Sequence, residues 1–128
     1  MNDMTTLHDM IKITEGSLIA SGKVKDTDVY DLKGEKLGKI EDFMLDKVSG
    51  RAVYAILSFG GFLGIGHHHY PLPWSQLKYS TDKGGYVVNL DKDRLEGAPK
   101  YEPSADFRWT ADYGRGVDKF YNTPSSWL

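Results

Sequence analysis

Between Val24 and Leu90 the chain breaks into short apolar segments separated by turn residues. Their spacing of roughly 8–12 residues is that of a small all-β sandwich or barrel, and helical periodicity is absent. The spacing predicts a strand over Val24 to Tyr30, ended by Asp31-Leu32-Lys33-Gly34, where Asp starts a turn and Gly supplies a positive φ. A second strand is expected over Leu37 to Asp46. Its apolar positions Leu37, Ile40, Phe43 and Leu45 break strict alternation, which calls for a bulge near Glu41-Asp42. After the Val48-Ser49-Gly50 turn, Arg51 to Phe59 places Val53, Ala55, Leu57 and Phe59 on one face and Ala52, Tyr54 and Ile56 on the other. A strand apolar on both faces is central and covered on both sides, by the tails or by another subunit.

The glycine-rich stretch Gly60 to Gly66 leads to a short strand, His68 to Leu72, and then a corner at Pro73 to Leu77, since Pro73 cannot occupy a central strand. Lys78 to Ser80 and Tyr86 to Leu90 flank a hairpin turn with glycines at 84 and 85, for about six strands in all. Asp91 to Glu96 reads as one helical turn, N-capped by Asp91 and stopped by Gly97. From Tyr101 onward aromatics crowd into polar surroundings, and the spacing between Trp109 and Tyr121 suits a short helix. The expected organisation is an arm over residues 1–20, a β domain over 21–100 and an aromatic tail over 101–128.

Composition excludes several function classes. There is no cysteine, so disulfides, thiolate metal sites and cysteine nucleophiles are ruled out together. Net charge is −2, with 8 basic and 10 acidic residues in positions 1–64 and 8 of each in 65–128, so no basic footprint for nucleic acid exists. The longest apolar run, Ala52 to Leu57, is far short of the ~20 residues of a membrane helix. Residues 1–20 are interrupted by Asp3, His8, Asp9, Lys12 and Glu15, leaving no apolar core for a signal peptide. The expectation is a cytoplasmic protein.

Several residues form recognisable series. Gly34-Glu35-Lys36-Leu37-Gly38-Lys39-Ile40-Glu41-Asp42, then Asp46 through Ser49-Gly50-Arg51, then the long strand, resemble a PRC-barrel domain. Ser58 through Gly66, the Pro71-Leu72-Pro73-Trp74-Ser75 step, and Gly85-Tyr86-Val87-Val88 through Leu95-Glu96-Gly97-Ala98-Pro99 resemble its stand-alone bacterial members. The resemblance spans about residues 20–100. It implies the small β-barrel shared by the cytoplasmic domain of the photosynthetic reaction-centre H subunit and the C-terminal domain of a ribosome-maturation factor. It also implies a protein-docking or assembly role without catalysis or cofactor. These 128 residues carry neither the membrane helix of the one nor the N-terminal domain of the other, so neither role is expected to transfer intact.

The remaining candidates for chemistry are weak. His67-His68-His69 is the one set of metal-ligand types in sequence, but strand neighbours face opposite sides, so at most His67 and His69 share one. A metal-binding protein or small enzyme using this cluster is the alternative reading. The glycine stretch lacks the order of a dinucleotide or P-loop fingerprint. Asp42 and Asp46 are read as turn and bulge residues rather than an acid–base pair. No G-x-S-x-G elbow is present. Surplus apolar side chains point instead to a homodimer, through the outer face of Arg51 to Phe59 or the Phe62-Leu63-Ile65 loop, and to a further, unidentified protein partner. Phe62, Leu63, Ile65, Tyr54 and Trp74 are the candidate protein-binding residues.

Overall fold

A computed structural model describes residues 18–60, 67–104 and 106–125. Six strands form one mixed sheet: β1 (Asp28–Tyr30), β2 (Lys36–Leu45), β3 (Ala52–Gly60), β4 (His67–Pro73), β5 (Lys78–Ser80) and β6 (Gly85–Val87). Their spatial order is β4-β3-β2-β1-β6-β5, antiparallel throughout except for the parallel pair β1–β6. Among the described residues three short α-helices accompany them, α1 (Ser21–Val24), α2 (Lys92–Glu96) and α3 (Ala111–Phe120).

The fold is all-β, but hydrogen bonding does not close the expected barrel, because β4 and β5 form the two free edges. The sheet is nevertheless rolled. Six strands lying flat would put those edges about 24 Å apart, whereas the five residue steps from Pro73 to Lys78 reach at most about 18 Å. A 3-10 turn at Trp74–Gln76 shortens that link further. Just past one edge, the Trp74 ring meets Tyr86 of β6 edge-on at 5.7 Å.

Local chemistry explains most boundaries. Asp31 Oδ1 accepts from the Lys33 and Glu35 amides, and Gly34 at φ 87° completes the β1–β2 turn. The β2 register shifts between Ile40 and Asp42, the bulge that the broken alternation requires. Asp91 caps α2 by accepting from the Arg94 amide. The first strand is shorter than expected: Val24 ends α1, and Asp26 at φ 68° turns the chain before β1 begins at Asp28. The last strand likewise stops at Val87, where the Val88 amide makes a final bond to the Tyr30 carbonyl.

The core comprises Val29, Leu37, Ile40, Ala55, Leu57, Tyr70, Leu72, Val88 and Leu95, all buried. Tyr54 and Ile56, on the opposite face of β3, are as deeply buried, so that strand is covered on both sides. The cover over Tyr54 comes from the C-terminal segment of the same chain. Helix α3 is capped by Thr110, whose side chain accepts from the Tyr113 amide. Gly114, Val117 and Asp118 are buried along it, with Tyr121 just beyond, which is one face at 3- and 4-residue spacing. Asn122 at φ 52° and the Thr123 amide donating to the Asp118 carbonyl end the helix. Arg94 of α2 donates to the Phe120 carbonyl and lies over the Phe120 ring, tying the two helices together.

Candidate functional site

Two of the five candidate binding residues, Tyr54 and Trp74, are among the described residues. Phe62, Leu63 and Ile65 lie outside the described residues. Tyr54 is 1% exposed. Its hydroxyl donates to Asp118 Oδ1 at 2.8 Å and approaches the Gly114 carbonyl at 3.3 Å, and its ring packs 5.0 Å from Trp109. It is therefore held inside the fold, and at Tyr54 the outer face of β3 is occupied by the chain's own tail. The reason is the polar tip of an otherwise apolar side chain: a buried tyrosine hydroxyl needs a partner, and α3 brings one. Trp74 stays half-buried at the corner after β4.

Leu18, Leu32, Leu45 and Val48 are the exposed large hydrophobics among the described residues, and the last two come together at the tip of the β2–β3 hairpin. Asp46 Oδ1 accepts from the Val48 and Ser49 amides, and Gly50 at φ 76° completes the turn. The Ser49 amide first, then that of Val48, holds the Asp46 carboxyl below its usual range, so it stays ionised. This tight turn pushes two apolar side chains outward: Leu45 is 51% exposed and Val48 98%. Beside them a groove of about 450 Å³ is lined by Met44, Leu45, Asp46, Lys47, Val53, Tyr54 and Trp109. Its apolar floor thus joins the hairpin to the aromatic tail. On the other side of Val53 a second cleft, of about 390 Å³, includes Arg51, Pro73, Trp74, Ser75 and Asp118. Sequence reading missed the groove, since Met44, Val53 and Trp109 are far apart along the chain. A signal was present in Leu45 and Val48, which flank a capping aspartate where turns are usually polar.

Other candidates resolve into structural roles. Asp42 Oδ1 accepts from the Phe43 amide. His68 lies near the Tyr70 ring and 3.9 Å from Glu102, whereas His69 pairs with Tyr101 through both backbone groups and faces its ring. Among the described residues no three His, Asp or Glu side chains come together as a metal set. A third, polar cleft of about 390 Å³ runs between Asp31 and Asp93, but Asp31 and Asp91 there serve their own backbone.

The aromatic tail has its own electrostatics. Tyr101 stacks on Phe107 at 3.9 Å, and Tyr113 meets Trp109 edge-on at 5.3 Å. The hydroxyls of Tyr113 and Tyr121 and Asp118 Oδ2 are buried without a hydrogen-bond partner. Such atoms cost on the order of 1–3 kcal/mol each, which the tail's apolar burial must offset. Burial pushes the Tyr113 phenol up to about 12 and raises Tyr70, Tyr86, Tyr101 and Tyr121 as well. A phenol raised in the folded state keeps its proton after the unfolded chain has lost it. The resulting stability is complete below the ordinary value of 10 and is lost as pH climbs toward 12. The melting temperature should therefore hold to about pH 10 and fall steeply above it, with the phenolate ultraviolet band lagging and then rising together with unfolding. A smooth titration without lag would remove this account.

No helix among the described residues is long and apolar enough to cross a membrane. No curated protein matches the chain. A family model, that of the PRC-barrel domain, matches residues 17–95, which takes in α1 and the whole six-stranded sheet and ends within α2. On that match, and on a rolled six-stranded sheet with glycines, prolines and capping aspartates at its turns, the chain belongs to the PRC-barrel domain family.

Proposed function

We propose that the protein is a non-catalytic binding and assembly module of the cytoplasm that associates with a second copy of itself and docks a protein partner. The observation that carries this reading is the open apolar groove at the hairpin tip, beside Leu45 and Val48, in a fold whose family is in general one of non-catalytic modules. A contiguous apolar patch with a groove beside it marks an interaction site. Phe62, Leu63 and Ile65 are a second proposed contact, and Trp74 a third, at the rim of the neighbouring cleft. Self-association is tested by sedimentation equilibrium: a dimer is expected at tens of micromolar, and a monomer at that concentration would refute it. Binding rather than catalysis predicts that alanine at His68 leaves partner docking unchanged.

A further inference from the structure

The hairpin tip carries both halves of a joint. Val48 projects almost wholly into solvent, and the groove floored by Met44, Val53 and Trp109 opens beside the same turn. A knob and a hole on one small element are what a two-fold contact requires, because such an interface pairs residue i with j and j with i. Charge adds a choice of occupant. Asp46 and Lys47, adjacent and opposite in sign, both line the groove and both flank the knob. A two-fold axis passing between these two positions sets Lys47 of one tip against Asp46 of the other, and the reverse. A partner segment of single sign would instead meet one like charge at this rim. Asp46 is held ionised by its turn, so the pairing has a fixed anion.

We infer that the occupant of this groove is a second copy of the chain, with Val48 of each protomer seated against Met44, Val53 and Trp109 of the other. This rests on the self-association proposed above and names its surface. The outer face of β3 is not the joint at Tyr54, since the protomer's own tail fills it there. The patch is small beside a standard interface of about 800 Å² per partner, so the dimer should be weak and dilution-sensitive.

The test compares sedimentation of the full chain with two variants. Val48→Asp changes a side chain that touches almost nothing in the protomer, so the circular dichroism should be unchanged while dimer dissociation rises at least tenfold. Phe62→Ser with Leu63→Ser should leave dimerisation intact. A second measurement needs no dissociation constant. The chain lacks cysteine, so a Val48→Cys protein mixed with a Met44→Cys protein should form a mixed disulfide dimer under mild oxidation, well above the yield of either alone. If the native protein is dimeric but Val48→Asp dimerises equally and no mixed disulfide forms, the surface is wrong while self-association stands. If the native protein is monomeric, both fail.

Discussion

Cutting the chain after Lys100 is expected to leave a protein without cooperative structure at room temperature. The family match ends at residue 95, so residues 101–128 look dispensable by that measure. The packing says otherwise. Val117 and Tyr121 are buried with the main core, and Trp109 and Asp118 cover Tyr54. Burying Val117, Trp109 and Tyr121 contributes about 1.5–3 kcal/mol apiece, together about 5–9 kcal/mol, against a total stability of about 5–15 kcal/mol for a domain. The cut also strands the Tyr54 hydroxyl and bares Tyr54 on a strand that depends on cover from both sides. Thermal melts of the two proteins decide the matter. A cooperative transition within a few degrees of the full chain would show that the tail is an ornament.

Gly38→Ala is expected to cost about 3 kcal/mol or more, lowering the melting temperature by about 10 °C. A Cβ at position 38 would overlap the Ser58 carbonyl oxygen and press on Leu57 Cδ1 at 3.1 Å. The oxygen belongs to the backbone of β3 and cannot retreat without opening the β2–β3 ladder at Lys39 and Ser58. Gly38 also pairs with Val29 of β1, so the disturbance reaches the centre of the sheet. Gly22→Ala is the control. Nothing lies within 4 Å of the added carbon there, and the residue sits in helix α1, so the change should be neutral or mildly stabilising. Equal melting temperatures for the two variants would contradict the steric account.

Much of this architecture could be read from residues whose role is local. Asp31 with Gly34 and Asp46 with Gly50 mark turns because a short carboxyl side chain satisfies nearby amides and a glycine accepts a positive φ, and Asp91 marks a helix cap by the same carboxyl chemistry. The bulge near Asp42 showed itself as a missed beat in the alternation. The sequence pattern was silent where distant segments decide. Val24 alternates correctly for a strand, yet Asp26 turns the chain and leaves Val24 at the end of a helix. Tyr54 counts as surplus apolar surface until Asp118, 64 residues later, arrives to receive its hydroxyl. The parallel β1–β6 pairing has no local signature either. The groove beside Leu45 escaped notice for the same reason, since one wall comes from Trp109.

The bridge between His69 and Tyr101 bears on how this protein avoids joining others by the wrong route. On β4 the His69 backbone faces away from β3, with its amide and carbonyl both engaged by Tyr101 at 2.8 and 3.0 Å. By strand alternation positions 71 and 73 face the same way, and both are proline, which has no amide proton to offer. The free margin of β4 is thereby stripped of donors from His69 to Pro73, and a stray strand from another molecule finds no ladder to extend. Aggregation by strand addition is blocked along that margin. Breaking the His69–Tyr101 bridge alone would reopen the margin only at His69, and association at β4 is left to side chains, whose shape and charge can be selective where a bare backbone cannot.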